Sequence, residues 1–178
     1  GAPARAAELL GRARATADAD PTPLSALVRL DLVIAQGDAA LAQGDARGAH
    51  AAYLEALQVE PRRAALHAKV AATHRSIGSL DAAIASYERA LALGAGADVL
   101  RAAVDTAIAA GDPAHQARWA QDLLTVAPDD PRAIVARAAA MAAEQPAAAR
   151  ALFAIGAERD DVDAHLGLAR LDLAGEPA

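Results

Sequence analysis

The feature that most constrains this chain is the regular spacing of its aromatic residues. The 178 residues include four aromatics, which are Tyr53, Tyr87, Trp119 and Phe153. Successive aromatics are separated by 34, 32 and 34 residues, an arrangement that scattered positions would rarely produce. A period of this length predicts an array of repeated supersecondary units, each too small to bury its own apolar face.

Other residue types recur in register with the aromatics. Four residues before each aromatic stand Ala49, Ala83, His115 and Ala149, and four residues after each stand Leu57, Leu91, Leu123 and Ala157. The first three units close at Pro61, Ala95 and Pro128. Residues four apart share one face of a helix, so each aromatic is predicted to lie on a buried helical stripe.

Each unit is predicted to contain two helices joined by a tight turn. Gly44-Asp45, Gly78-Ser79 and Gly111-Asp112 combine a glycine that can end a helix with a residue that can cap the next one. Proline then stops the second helix, because it cannot continue the backbone hydrogen-bond ladder. We also expect the acidic pairs Asp129-Asp130 and Asp160-Asp161 to cap the helices that follow them.

These features resemble the tetratricopeptide repeat, a helix-turn-helix unit of 34 residues. Residues 37–61 (GDAALAQGDARGAHAAYLEALQVEP) and 77–94 (IGSLDAAIASYERALALG) carry the resemblance most closely. The third unit has His115 at a small-residue position, and the fourth has Gln145-Pro146 at its turn. The resemblance implies an all-α fold: a right-handed superhelical solenoid of antiparallel helix pairs, with about four repeats plus terminal helices.

The register divides the chain, taken as a single solenoid domain, into six segments. They are an N-terminal capping helix and linker (1–23), four repeats (24–61, 62–96, 97–130 and 131–160) and the first helix of an incomplete fifth repeat (161–178). Asp20-Pro21-Thr22-Pro23 is predicted to break the chain after the capping helix. Residues 162–174 are predicted to form the last helix, with Gly175 at the turn. We therefore expect a segment cut from a longer protein, with a natural single capping helix as the alternative.

Composition narrows the class of function. A net charge of −6 and a pI of about 5.3 argue against a nucleic-acid surface, which needs a basic stripe. The sequence has no cysteine for disulfides or thiolate metal sites, and no apolar run long enough to predict membrane insertion. The alanine- and arginine-rich composition indicates a bacterial source, and the lack of cysteine fits the cytoplasm and the periplasm alike.

No constellation in the sequence predicts catalysis or a cofactor. His67 and His74 could share a helix face, but they would stand about 10 Å apart along the axis, too far for one metal ion. The sequence has no HExxH motif, no nucleophile elbow around its serines and no glycine-rich phosphate loop. We therefore expect a chain that is not an enzyme and has no catalytic, cofactor-binding or metal-binding residues.

The resemblance also implies where a partner binds, because the first helix of each such repeat lines a concave groove. The groove candidates taken from the register are Asp31, Ile34, Asp38, Lys69, Arg75, Asp98, Arg101, Asp105, Arg132 and Arg170. Small and apolar residues on the same faces are Leu41, Ala65, Ala68, Ala72, Ile108, Val135, Ala139 and Leu166. Ion pairs within the chain are the alternative reading of the charged positions.

One known binding mode of the family is not expected here. Chaperone co-factors of this family hold an acidic carboxyl-terminal tail through Lys, Arg and Asn side chains on successive first helices. This sequence contains no asparagine, and Asp38, Asp98 and Asp105 stand among the groove cations. A carboxylate clamp of that kind is therefore improbable.

The function predicted first is a scaffold that binds a protein or peptide in the groove, within a larger bacterial assembly for secretion, pilus formation or exopolysaccharide export. The alternative is an accessory domain that presents substrate to a fused enzyme, such as a glycosyltransferase or a hydroxylase. Weak self-association through the incomplete fifth repeat is a third hypothesis. An exposed apolar face formed by Leu166, Leu168 and Leu171 would favour it.

The repeat register makes a prediction about stability. Replacing Tyr87 with alanine should lower the free energy of unfolding by about 3–5 kcal/mol, because it empties the volume of a buried aromatic ring. Chemical or thermal unfolding of the variant measures this loss. Unchanged stability would contradict the register on which the assignment of helix faces depends.

Overall fold

The computed structural model of the chain describes residues 2–19 and 23–175, and these residues form ten α-helices with no strand among them. The helices are α1 (Ala2–Asp18), α2 (Pro23–Ala42), α3 (Ala46–Val59), α4 (Ala64–Ser76), α5 (Leu80–Ala92), α6 (Ala97–Ala110), α7 (Pro113–Val126), α8 (Pro131–Met141), α9 (Pro146–Ala157) and α10 (Val162–Gly175). The predicted all-α fold is confirmed. The predicted chain break at Asp20, Pro21 and Thr22 lies outside the described residues.

The chain divides into two compact units, Gly1–Ala95 with α1 to α5 and Gly96–Ala178 with α6 to α10. We call them unit 1 and unit 2. Within each unit, helices that follow one another in sequence pack together, and their short turns make them antiparallel. In unit 2, α8 also contacts both α6 and α10. The first helices of the predicted repeats are α2, α4, α6, α8 and α10, and the second helices are α3, α5, α7 and α9.

The predicted glycine turns form as helix-ending motifs with a left-handed residue. Gly44, Gly78 and Gly111 have φ angles of 80°, 79° and 66°, a region that favours glycine. At the first turn, Gly44 N–H donates to Leu41 O at 3.0 Å and Asp45 N–H donates to Ala40 O at 2.9 Å. The same pair of bonds recurs at Gly78, Gly94 and Gly111, so these helix ends satisfy their last carbonyl groups locally.

The predicted side-chain caps form at two of the three turns. Asp45 accepts a hydrogen bond from Gly48 N–H at 2.8 Å, and Asp112 accepts one from His115 N–H at 3.0 Å. Ser79 occupies the predicted N-cap position of α5, but its side chain makes no capping hydrogen bond. The end of α4 is still closed by the two backbone bonds at Gly78.

The acidic pairs precede helices and cap them, as expected. Asp130 accepts from Ala133 N–H at 3.0 Å at the start of α8, and Asp161 accepts from Ala164 N–H at 2.9 Å at the start of α10. Asp160 has a second role that the sequence pattern did not predict. Its φ of 58° places it in the left-handed region, so an aspartate follows α9 at a position that glycine takes after α2, α4, α5 and α6.

The four aromatic rings lie in the core, at most 4% exposed, as their spacing predicts. In unit 1, Tyr53 belongs to an apolar cluster with Leu30, Val33, Ala49, Ala56, Leu66 and Val70. In unit 2, Phe153 belongs to a cluster with Val135, Ala138, Ala149 and Ala164. These clusters take their buried residues from one face each of α2, α3 and α4 in unit 1 and of α8, α9 and α10 in unit 2.

Two of these rings pack where glycine leaves room on a first helix. A Cβ atom built on Gly37 in α2 would stand 2.5 Å from Tyr53 Cε1, and one on Gly167 in α10 would overlap the ring of Phe153. No side chain fits at either position without moving a buried ring. The glycines therefore set how closely the first and second helices approach.

The leucines of α10 do not share one exposed face. Leu168 and Leu171 pack against the core cluster around Phe153, whereas Leu166 is 51% exposed. The three leucines therefore do not form the exposed apolar face that would favour self-association. Gly175, expected at a turn, is the last residue of α10, and residues 176–178 lie outside the described part of the chain.

A pair of identical substitutions tests the contact between Tyr53 and Gly37. Gly37→Ala should lower the free energy of unfolding by about 1–3 kcal/mol, because the added methyl group overpacks the buried ring. Gly11→Ala is the matched control in α1, where a Cβ atom would meet nothing within 4 Å. It should raise stability by about 0.5–1 kcal/mol through helix propensity alone. Equal effects in urea unfolding would contradict the close packing at Gly37.

Candidate functional site

On the first helices of unit 1, Asp38 and Lys69 are bound to each other and to Tyr53. The Tyr53 hydroxyl donates to Asp38 Oδ1 at 2.6 Å, and Lys69 Nζ donates to the same oxygen. The Lys69 ammonium also stands 5.4 Å from the centre of the Tyr53 ring. Asp38 of α2 and Lys69 of α4 therefore neutralise each other between neighbouring first helices.

The phenol of Tyr53 is held in its protonated form. Burial raises the pKa of Tyr53, and the hydrogen bond to Asp38 and the negative charge of that carboxylate raise it further. The hydroxyl group therefore acts as a fixed donor that orients the Asp38 carboxylate. This contact joins the core of unit 1 to its first-helix surface.

The other unit 1 candidates differ in how available they are. Ile34 and Leu41 are half-buried and pack against the core cluster, so they offer less surface than the register predicts. Asp31 is exposed, and so is Arg75 in the last turn of α4. Arg75 forms no ion pair with the described residues. Ala65 is exposed, whereas Ala68 and Ala72 are half-buried.

In unit 2, Arg101 connects α6 to the start of α8. Its Nε donates to Asp130 Oδ2 at 2.6 Å, and its Nη1 donates to Asp98 Oδ1 at 2.5 Å. The hydrogen bond and the charge of Asp130 raise the pKa of Arg101. Asp130 is buried, with 5% of its side chain exposed, and it also caps α8. Arg101 therefore compensates a buried carboxylate, a structural task that the register did not predict.

Arg132 of α8 joins all three first helices of unit 2. Its Nε donates to Asp105 Oδ1 of α6 at 2.6 Å, and its Nη1 donates to Asp163 Oδ2 of α10 at 3.2 Å. Burial alone would lower the pKa of Arg132, but the two carboxylates outweigh it and the pKa is raised. The arginine is thus held between two acids, and its charge is largely neutralised.

A cavity of about 250 Å³ opens on the same surface of unit 2. Six of the residues predicted from the register line it, namely Ile108, Arg132, Val135, Ala139, Leu166 and Arg170. Val135 is buried, whereas Ile108, Ala139, Leu166 and Arg170 are exposed. The structure therefore brings residues from three successive first helices together around one apolar depression.

Five further residues line the cavity and were not among the candidates: Gln116, Ala136, Phe153, Asp163 and Gly167. Gln116 of α7 donates to Ala136 O at 2.7 Å. Phe153 was predicted as a core residue, yet one part of its ring reaches the cavity wall. The sequence does contain a signal for Asp163, which is a separation of about one repeat between a cation and an acid. Lys69 and Asp38 are 31 residues apart, and Arg101 and Asp130 are 29 apart. Arg132 is 27 residues from Asp105 and 31 from Asp163.

Four histidines lie within hydrogen-bonding distance of a neighbouring oxygen: His50 of Thr73, His67 of Pro61, His115 of Asp112 and His165 of Asp161. His74 packs against His50 with ring centres 4.4 Å apart. Burial lowers the pKa of His74, and the charge of His50 lowers it further.

Across residues 2–19 and 23–175, no three His, Asp or Glu side chains are grouped to hold a metal ion. No described helix has the length and apolar character needed to cross a bilayer.

Solved structures share this fold. A tetratricopeptide repeat protein from Parabacteroides merdae matches with a TM-score of 0.71 and 23% identity, over 80% of this chain and 59% of that protein. MamA matches with a TM-score of 0.70 and 16% identity, over 88% of this chain and 89% of MamA. YrrB, described as a tetratricopeptide repeat protein with an unusual peptide-binding site, matches with a TM-score of 0.70 and 18% identity, over 79% and 74%.

These similarities show the fold, which is the tetratricopeptide-repeat solenoid that the sequence resemblance implied. The chain spans 59% of the length of the Parabacteroides protein. No protein-family model matches the sequence, and no curated protein matches it closely.

Replacing each of two neighbouring aspartates at the start of α8, Asp129 and Asp130, tests the structural role of Arg101. Asp130→Ala should lower the free energy of unfolding by about 1–3 kcal/mol, because it removes a helix cap and leaves Arg101 without its buried partner. Asp129→Ala removes the same charge from a side chain that is 94% exposed, and it should change stability by less than about 0.5 kcal/mol. Urea unfolding measures both variants, and equal losses would contradict the assignment.

Proposed function

We propose that this chain is a protein-interaction module that holds a peptide, or an extended segment of a partner protein, on its first-helix surface. The cavity of unit 2 is the observation that carries the proposal. Ile108 and Leu166 are exposed at its edge, 37% and 51% respectively, and would be removed from water by an occupant. Exposed apolar residues grouped around a depression are typical of interaction sites.

The charges around this surface favour recognition through apolar contact. Lys69, Arg101 and Arg132 are each bound to at least one carboxylate of this chain. A peptide carboxylate that approached them would compete with partners already in place. These three described cations therefore do not form the row of free cations that a carboxylate clamp requires.

The comparison with YrrB supports a peptide as the partner. YrrB is described as having a peptide-binding site, and the match covers 79% of the present chain with a TM-score of 0.70. An extended peptide or a partner helix can lie along a trough formed by parallel first helices. Because the net charge of the chain is −6, a nucleic-acid partner is not favoured.

The proposed role is non-catalytic. The histidines are engaged in packing and in hydrogen bonds to neighbouring oxygens, and Asp38, Asp105 and Asp163 of the first helices are engaged with lysine or arginine. We place the module in a larger bacterial assembly for secretion, pilus formation or exopolysaccharide export, on the strength of the family resemblance alone. An enzyme-fused domain that presents substrate is the alternative, and a catalytic domain in the same gene would favour it.

Peptide selection tests the proposal. A random 12-residue library displayed on phage should yield peptides that bind the full chain, with affinity measured by fluorescence anisotropy. Ala139→Trp should weaken binding at least about tenfold, because the indole would fill the mouth of the cavity. Ala151→Trp, at an exposed position of α9, makes the same change outside the cavity and should bind like the unmodified chain.

Two outcomes would count against the proposal: no selected peptide that binds, or equal binding by both tryptophan variants. Arg101→Glu is unsuitable as a probe of this surface, because it would also disrupt the buried Asp130 cap. Sedimentation of the unmodified chain at high concentration separates peptide binding from self-association. A strict monomer would remove the self-association hypothesis.

A further inference from the structure

We infer that the unit 2 cavity selects a segment with one large apolar side chain and one nearby carboxylate, which pairs with Arg170. This inference rests on the proposed function, because it names the chemistry of the segment bound at that site. Two features carry it: the size of the cavity and the presence at its edge of Arg170, a cation that forms no ion pair with the described residues.

The size of the cavity favours one side chain as its occupant. Its volume of about 250 Å³ lies below the roughly 300–1,000 Å³ typical of sites that enclose a whole small molecule. Val135, Ala136 and Phe153 form an apolar base, and Ile108 and Leu166 stand at the edge. A leucine, methionine or phenylalanine side chain would bury apolar surface against both groups.

The charges at the edge favour a single carboxylate beside that side chain. Arg170 lines the cavity, is exposed, and forms no ion pair with any described residue. Arg132, the other cation at the cavity, is held between Asp105 and Asp163. A carboxylate can therefore reach Arg170 without displacing any described residue, and the pair would be shielded on one side by the bound segment.

The same arrangement disfavours a second carboxylate. A segment that placed an acid at Arg132 would bring it against Asp163, which is 62% exposed, and against Asp105 on the other side. Repulsion from these two acids would offset the attraction of the arginine. The site is therefore distinct from a clamp that grips two acidic groups, and its selectivity depends on the apolar side chain.

The sequences of the selected 12-residue peptides give the first test. Peptides from the phage library should share one Leu, Met or Phe with an Asp or Glu within about three residues, because these two groups span one cavity and its edge. Arg170→Glu should weaken their binding at least about tenfold. Changing the peptide acid to arginine should restore binding to the Arg170→Glu variant. Adding a second acid to the peptide should not improve affinity.

Arg62→Glu is the matched control, because it makes the same charge change at an exposed residue of the turn between α3 and α4 in unit 1. It should leave the affinity unchanged. Peptides that are blocked by Ala139→Trp but show no acid preference and no response to Arg170→Glu would overturn the inference and leave the proposed function standing. Failure to obtain any peptide sensitive to Ala139→Trp would overturn both.

Discussion

The structure depends on aromatic rings that pack where glycine leaves room on a neighbouring helix. Tyr53 lies against Gly37 in unit 1, and Phe153 lies against Gly167 in unit 2. Each ring fixes the separation of a first and a second helix, because interiors packed to crystal-like density accommodate no added side chain. The same two rings also reach the surface, since the Tyr53 hydroxyl binds Asp38 and the Phe153 ring forms part of the cavity wall. Core packing and candidate site are thus one arrangement.

Ion pairs between successive first helices give that surface its character. Asp38 meets Lys69 across α2 and α4, and Arg132 meets Asp105 and Asp163 across α6, α8 and α10. Partly exposed pairs of this kind contribute little to stability on their own. Their main consequence is that Lys69, Arg101 and Arg132 are neutralised within the chain, whereas Arg75 and Arg170 form no ion pair with the described residues.

Local rules explain which parts of the fold could be predicted. Helix bounds, glycine turns and buried aromatics follow from the backbone preferences of glycine and from spacings of three or four residues, which act within one element. Ser79 occupies the predicted N-cap position of α5, but its side chain makes no capping bond. The leucines of α10 were treated as one apolar group in the sequence. The packing of α10 against α8 and α9 buries part of Leu168 and Leu171 and leaves Leu166 exposed.

By itself, the sequence determined the repeat period and the helix pairs. It assigned one face of each first helix to the groove, but Ile34 and Leu41 on that face pack against the core and Val135 belongs to it. Whether a charge on that face is available was decided only by tertiary structure. Arg101 and Arg170 were both predicted on that face, but Arg101 meets a buried carboxylate 29 residues away and Arg170 meets none among the described residues. The physical reason is that such pairing requires two atoms within about 3 Å of each other, a distance set by helix packing.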